Sequence, residues 1–250
     1  MGYDMTYHPI AADDIKKDFF DALLEPDGVQ RLAKKFRLDA KEADYIGKLL
    51  VETRTESKSK DFEFWNNMVY RIAQVAGFLR KYWYLRGSTL TELTDNPLFA
   101  RYFADWRTLV PEVLHKKYLP KTGSCVGGLK GNYCGGVYVP HDKLIELRAD
   151  YESNPGVRAA MDESFSHDRL PVFWKAVDFA IAHKLGLLEA ADVLIPNPVV
   201  RNKDGTVSPG LNECFTAVWN CDKEGIFLYH IAAMQQISQM LQAAHGGDKG

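Results

Sequence analysis

Apolar residues recur every three or four positions along most of the first half of the chain, a pattern typical of amphipathic helices. The longest such row runs through residues 62–85, and we expect it to form one helix. Asp39 and Glu42 form a capping-box pair that predicts the start of another helix, because each side chain can accept a hydrogen bond from the other residue's backbone N–H. The charged stretch 52–61 lacks the pattern and is predicted to be a loop.

Asparagine followed by proline predicts the start of two further helices, because asparagine caps a helix and proline fits its first turn. Asn96 precedes a predicted helix over 98–109, and Asn154 precedes another. Apolar periodicity also predicts a helix over 170–185. A final helix follows Asp222 and has an apolar face that we expect to point inward. That face comprises Phe227, Ile231, Met234, Ile237 and Leu241.

The helical period stops in residues 111–140 and again in 190–220. Short apolar and β-branched runs in these regions, such as 191–196, end at proline and predict strands. The turn residues 202–205 are expected to lead to a second strand over 211–219. The sequence therefore predicts an α+β protein, predominantly helical, with a small antiparallel sheet formed from the regions 111–140 and 190–220.

A chain of 250 residues with 46% hydrophobic and 26% charged residues has the composition of a folded globular protein. It contains neither an internal repeat nor a clear linker. We therefore expect a single domain over residues 1–245, followed by a frayed tail over 246–250. A subdivision near 108–123 is the alternative.

Charge and cysteine content restrict the partners and the compartment. Lys and Arg total 31 against 33 Asp and Glu, a net charge of -2, so nucleic acid is a disfavoured partner because binding it requires a basic surface. No segment approaches about eighteen consecutive apolar residues, and a membrane partner is not expected. Four cysteines without an export signal fit reduced thiols, and the predicted location is the cytoplasm.

Residues 123–136 contain six glycines but match no phosphate-binding loop, so no cofactor is predicted. The four cysteines form two pairs, Cys125 with Cys134 and Cys214 with Cys221. Both pairs are spaced more widely than is usual between zinc ligands, and no metal site is predicted.

One set of side chains could support catalysis. Cys134, His141 and Asp142 lie close together in the sequence and could form a thiol–imidazole–carboxylate site beside the glycine-rich loop. A strand end followed by a helix start explains the same residues. The enzyme this site would support is hydrolase-like and of unassigned class, and we keep it as an alternative.

Tyr82, Trp83 and Tyr84 stand on different sides of the predicted helix 62–85. Either this helix is sandwiched in the core, or it exposes an aromatic patch that binds a protein partner. The first arrangement is favoured because aromatic residues usually serve the core. The second would suit a regulatory module, which is a further alternative.

Three segments carry a resemblance to a known class of protein: MGYDMTYHPI, GGVYVPHDKL and RLPVFWKAVDFAIAHKLGLLEA. They resemble bacterial cytoplasmic immunity proteins, which are encoded with secreted antibacterial toxins. The resemblance implies a non-enzymatic protein that binds a cognate toxin and occludes its active site. It assigns no functional residue.

Inhibition of that kind requires a complementary surface with a few anchoring side chains, whereas catalysis requires converging titratable groups, which the sequence does not display. We therefore expect contacts from two protruding loops, 123–133 and 201–210. The predicted partner-binding residues are Lys130, Asn132, Tyr133, Arg201, Lys203 and Asp204. The oligomeric state is left open.

Overall fold

The computed structural model describes most of the chain. The described residues are 3–59, 64–87, 89–121, 123, 125–127, 135–166, 168–196, 199–201, 207–209, 213–214 and 220–246.

Helices dominate the described residues, and a small sheet crosses between them, which confirms the predicted α+β class. The helices are α1 (Ala12–Asp14), α2 (Asp21–Leu24), α3 (Gly28–Phe36), α4 (Ala40–Glu56), α5 (Val69–Leu79), α6 (Glu112–Tyr118), α7 (His141–Ser153), α8 (Pro155–Ser164), α9 (Leu170–Ala182) and α10 (Glu224–Gly246). Short π-helical or 3-10 segments are Ile15–Phe20, Phe64–Met68, Thr91–Leu93, Ala100–Tyr102 and Trp106–Thr108. The strands are β1 (Asp4–Ile10), β2 (Tyr82–Arg86), β3 (Tyr138–Val139), β4 (Gly186–Ala191), β5 (Leu194–Ile195), β6 (Val199–Arg201), β7 (Val207–Pro209), β8 (Glu213–Cys214) and β9 (Cys221–Asp222).

The main sheet has five strands in the order β3-β4-β1-β2-β9. Strand β1 lies at its centre and runs antiparallel to both neighbours, with Tyr7 opposite Trp83 on one side and Glu189 on the other. Strand β9 runs parallel to β2, so the sheet is mixed. The region 111–140 supplies β3, but the two central strands β1 and β2 come from parts of the chain where the sequence pattern predicts no strand.

Two small antiparallel pairs, β5 with β8 and β6 with β7, complete the β-structure. In the first pair Leu194 lies opposite Cys214 and Ile195 opposite Glu213. Residues of both predicted strands, 191–196 and 211–219, thus lie in β-structure, in a pair separate from the sheet that contains Tyr138.

The prediction of one helix over 62–85 is wrong at its end. Helix α5 stops at Leu79, and the following residues form strand β2. All of Tyr82, Trp83 and Tyr84 are buried there, because a central strand directs successive side chains to opposite faces and helices cover both. Trp83 is 3% exposed, so the aromatic patch considered for a regulatory partner is part of the core.

Two other expectations are corrected by the structure. Helix α4 continues through much of the predicted loop 52–61 as far as Glu56, and Arg71 pairs with Glu56 on its last turn. Instead of a helix over 98–109, the chain makes separate 3-10 turns, although the Asn96 side chain does accept a hydrogen bond from the N–H of Leu98, at 3.0 Å.

The predicted starts of helices α4 and α8 are confirmed. The Asp39 carboxylate accepts hydrogen bonds from the N–H groups of Lys41 and Glu42, and the Glu42 carboxylate accepts one from the N–H of Asp39. Asn154 caps α8 in a similar way. Both signals involve residues within four positions of each other, so they act whatever the rest of the chain does.

Each face of the main sheet is covered by its own apolar cluster. Residues of α2 to α5 pack on one face, against Leu188 and Ala190 of β4. Residues of α7 to α9 pack on the other, against Met5 and Tyr7 of β1. The sheet is therefore the middle of three layers, and polar side chains on its central strands are sealed from water.

Gly136 lies where the backbone of residues 135–137 extends the sheet along β4. A Cβ atom at this position would lie 1.9 Å from the carbonyl oxygen of Glu189, which real structures do not allow. The N–H of Glu189 donates to the carbonyl of Val137 at 2.9 Å, so the two backbones are held together. At least this glycine of the glycine-rich segment serves close packing of backbone.

Replacement of Gly136 by alanine is expected to lower the free energy of unfolding by about 3 kcal/mol, because the added methyl group must push β4 aside. Gly47 in α4 is the matched control, since a Cβ atom there meets only Val29 side-chain atoms at 3.9 Å. Its replacement by alanine is expected to stabilise the protein by roughly 0.5–1 kcal/mol. Urea unfolding measures both, and equal effects of the two substitutions would contradict this account.

Candidate binding surface at the last helix

The most enclosed carboxylate of the described residues, Glu189, lies in the core of the sheet. Its oxygens accept hydrogen bonds from the hydroxyl of Thr89 at 2.9 Å and from the N–H groups of Leu90 and Thr91 at 2.6 and 2.8 Å. The hydroxyl of Thr91 donates another, at 2.5 Å. Burial raises the pKa of Glu189, and these donors oppose that shift. The carboxylate is fully buried, so it fixes the segment 89–91 against β4 and offers nothing to a substrate.

His8 is equally enclosed, on the other face of β1. Its ring stacks on Tyr82 with 4.8 Å between the ring centres. Its Nε2 lies 2.9 Å from the hydroxyl oxygen of Thr6, and that hydroxyl donates its own hydrogen to the carbonyl of Ala190. Nε2 must therefore carry the proton. Burial lowers the pKa of His8 to about 3, so the ring is neutral at physiological pH and has no route to solvent.

The described part of the thiol–imidazole–carboxylate set shows no reactive arrangement. His141 and Asp142 begin α7, where the His141 Nε2 lies 3.3 Å from the carbonyl oxygen of Ile181 and Asp142 is exposed. Cys134 lies outside the described residues. Cys125 is buried, and burial raises its thiol pKa to about 11, the opposite of what a nucleophile requires.

The structure describes the side chain of one cysteine from each predicted pair. Cys125 and Cys221 are buried free thiols, whereas Cys134 and the side chain of Cys214 are outside the described residues. Within the described residues, no three His, Cys, Asp or Glu side chains converge as a metal site would require.

The predicted partner-binding residues fall outside the described part of the chain. Lys130, Asn132, Tyr133, Lys203 and Asp204 are not described, and Arg201 is described only as backbone at the end of β6. These residues stay predictions. The described surface instead points to α10.

The first turn of α10 is fixed to the body by several contacts. The Asp222 carboxylate accepts a hydrogen bond from the N–H of Glu224 at 3.2 Å, as the predicted cap requires, and pairs with Lys81 at 3.0 Å. Glu224 in turn pairs with Lys175 of α9. A Cβ atom at Gly225 would lie 1.7 Å from the carbonyl oxygen of Tyr84, so only glycine lets the helix approach β2 this closely.

The apolar face expected to point inward points outward instead. Phe227, Ile231 and Met234 are 60%, 55% and 47% exposed. They follow one another at spacings of four and three, so they form one row along the helix. We call these three residues the α10 row. The side chains of Ile237 and Leu241, predicted to continue the face, are outside the described residues.

A different side of α10 contacts the body. Ile226 is buried with Tyr82, Tyr84 and Leu194 at the sheet edge, and Tyr229 packs against the same cluster. The described side chains from Met234 to Gln239 are all exposed. The helix is therefore anchored at its start, and the described side chains of this following stretch face solvent.

Helix α10 carries no charged residue after Glu224. Residues 225–246 contain no Asp, Glu, Lys or Arg, although 26% of the whole chain is charged. A solvent-facing helix of this length ordinarily carries several charges on its polar face. Its exposed polar residues are instead amides and a hydroxyl, among them Gln235, Gln236 and Ser238. An uncharged surface with large apolar residues is typical of protein interfaces.

A groove also lies on the described surface between α3 and α4. It has a volume of about 700 Å³ and is open to solvent. Val29, Ala33 and Val51 contribute its apolar floor, and Asp44 and Lys48 on its rim pair with each other at 2.6 Å. Because its charges are already matched within α4, this groove has less to offer a partner than the α10 row.

None of the helices in the described residues combines the length and the apolar content needed to cross a lipid bilayer. Comparison of the chain with protein-family models, with curated proteins and with solved structures gave no match. The candidate surface therefore rests on the geometry of this molecule.

Proposed function

We propose that this protein acts by binding another protein through the α10 row, and that the partner is a cognate toxin whose active site it occludes in the cytoplasm. The observation that carries the binding role is the exposed row of Phe227, Ile231 and Met234 on a helix without charged residues after Glu224. The resemblance of the chain to immunity proteins supplies the class of partner.

The chemistry of the row defines the surface it fits. The partner must offer an apolar groove without charged groups in its floor, because α10 beyond Glu224 has no charge to compensate a buried carboxylate or ammonium group. Amphipathic helices bind such grooves through residues spaced by three and four positions, as in the α10 row. The fixed first turn reduces the entropy lost on binding, since the helix is already formed and oriented.

Burial of the polar groups in the core supports the same proposal. Glu189, His8 and Cys125 are each buried and bonded or packed in place, so these side chains serve stability and not chemistry. The hydrolase-like alternative depends on Cys134, and no contact of a described residue favours it.

Replacement of Ile231 by aspartate is the test. Ile231 lies at the middle of the α10 row, and a carboxylate there would be buried in an uncharged groove. We expect binding of the purified toxin encoded beside this chain to weaken by at least about 100-fold in calorimetric titration. Cells that make the toxin should lose protection when they carry this variant.

Val113→Asp is the matched control. Val113 on α6 is 75% exposed, so its replacement makes the same chemical change at an exposed apolar residue away from α10. Toxin binding should be unchanged. Full binding by Ile231→Asp, or a neighbouring gene that encodes no toxin, would overturn the proposal. So would a dimer of the free chain that dissociates on the Ile231 substitution, because the row would then serve a second copy.

A further inference from the structure

A small cavity lies beside the first turns of α10, between this helix and β2. Its volume is about 50 Å³, and it is more enclosed than the surface grooves. Two arginines, Arg86 and Arg169, line it together with Leu228 and Tyr229. Nothing in the proposed function uses this cavity.

The charge of Arg86 is already matched. Its guanidinium pairs with the buried carboxylate of Asp4, which also accepts a hydrogen bond from the hydroxyl of Tyr84 at 2.6 Å. The same guanidinium stacks over the ring of Tyr229, 5.1 Å from its centre. Arg86 is therefore held in a fixed orientation at the cavity wall.

The charge of Arg169 is not matched. Arg169 is half-buried, and no carboxylate of the described residues lies within ion-pair distance of its guanidinium. Burial lowers its pKa, and the positive charge of Arg86 acts in the same direction against the opposing effect of Tyr84. A half-buried cation without a counter-ion is costly, so the cavity holds an unbalanced positive charge.

The acids at the start of α10 do not cancel that charge. Asp222 and Glu224 stand at the start of α10, but Asp222 pairs with Lys81 and Glu224 with Lys175. The start of the helix itself adds a partial positive charge.

We infer that the cavity between Arg86 and Arg169 binds a small oxyanion, a phosphate or a carboxylate group, and that Arg169 supplies the charge that holds it. The planar guanidinium presents paired N–H donors that suit the oxygens of either group. The inference is independent of the α10 row and of any toxin, since the anion is free in solution.

Thermal unfolding of the full chain tests this site, with sodium phosphate compared against sodium chloride of the same ionic strength. A dissociation constant of about 5 mM would raise the unfolding midpoint by about 3 °C in about 50 mM phosphate. Sodium acetate is the second probe. Stabilisation by both anions identifies a general oxyanion site, and stabilisation by phosphate alone restricts it to phosphate groups.

Arg169→Gln should remove this stabilisation. In chloride the same variant should unfold at a midpoint about 2 °C higher than the unaltered protein, because the unmatched charge is gone. If Arg169 served only to stabilise the fold, Arg169→Gln would instead unfold at a lower midpoint in chloride. Arg148→Gln is the control, since Arg148 pairs with Glu152 on the surface of α7 and should leave the phosphate effect intact.

A second measurement does not depend on the variant folding. Phosphate added to the unaltered protein should shift the nuclear magnetic resonance signals of the Nε–H groups of Arg169 and Arg86 and leave that of Arg148 in place. No phosphate effect on the unaltered protein, or the same effect in Arg169→Gln, would overturn the inference.

Discussion

Replacement of Glu189 by alanine is expected to lower the free energy of unfolding by about 4 kcal/mol, because the buried donors around its carboxylate lose their acceptor and a cavity remains. The N–H of Leu90 at 2.6 Å has no other partner among the described residues. The N–H of Thr91 also contacts the Thr89 hydroxyl oxygen, at 3.0 Å, so its loss is smaller. Tyr7 also forms a side-chain hydrogen bond with this carboxylate, whose stabilisation rests on neutral donors among the described residues.

Glu189→Gln separates the loss of the hydrogen-bond acceptor from the cavity. The glutamine side chain has the shape of glutamate and leaves no cavity. Its NH₂ group is a donor that faces other donors, so we expect the free energy of unfolding to fall by about 2 kcal/mol. Glu152→Ala on the exposed surface of α7 is the control and should change the stability by less than about 0.5 kcal/mol.

Urea unfolding gives these free energies, and amide hydrogen exchange locates them. The N–H groups of Leu90 and Thr91 should exchange faster in Glu189→Ala, while those of α5 keep their protection relative to the lowered global stability. A loss below about 1 kcal/mol in Glu189→Ala would show that water or another group replaces the carboxylate, contrary to its full burial.

His8 makes the stability of the protein depend on pH. Burial lowers its pKa to about 3 in the folded protein, whereas an unfolded histidine has a pKa of about 6.5. At a pH below the unfolded value, only the unfolded chain takes up the proton, so the folded state loses relative stability. The contribution is complete above about pH 6.5 and falls progressively towards about pH 3.

From these two pKa values, His8 alone should make the protein about 2 kcal/mol less stable at about pH 5 than at about pH 8. Below about pH 3 the full loss from His8 should be about 5 kcal/mol. The cause is structural. Nδ1 has no hydrogen-bond partner among the described residues, so a proton added there would place an unsatisfied N–H in the core.

Urea unfolding of the unaltered protein and of His8→Gln at both pH values measures the contribution of His8 to this pH dependence. The variant loses the stacking on Tyr82 and is less stable at both, but the difference between the two pH values should shrink by about 2 kcal/mol. Glu189 also titrates, and its effect is common to both proteins and cancels. His183→Gln, at an exposed ring, is the control substitution. A pH difference that does not shrink in His8→Gln would contradict a lowered pKa for His8.

Much of the helical part of the fold could be predicted from sequence because its signals are short-range. The capping pair Asp39 and Glu42 and the Asn154 cap act within four residues, and both are present in the structure. The apolar rows behind them, such as Ile46 and Leu50, are buried as expected. Tertiary packing then buries the apolar helix face that the sequence pattern already identifies.

The sheet could not be predicted in the same way. Strands β1 and β2 are separated by more than seventy positions, and each is covered on both faces, so neither shows the alternation that marks a half-exposed strand. In β1 the polar residues Thr6 and His8 stand in the core because they bond to each other and to Ala190. In β2 the aromatic run continues the helical spacing of α5, which conceals the change of period.

For the candidate surface, the sequence by itself determined that α10 is a capped helix with an apolar row and no charge after Glu224, since composition and spacing are local properties. Only the tertiary structure decided which side of it meets the body. The close contact of Gly225 with β2 turns Ile226 towards the sheet and leaves Phe227, Ile231 and Met234 in solvent. Because α10 has apolar residues around most of its circumference, the packing of its first turn determines which face is buried.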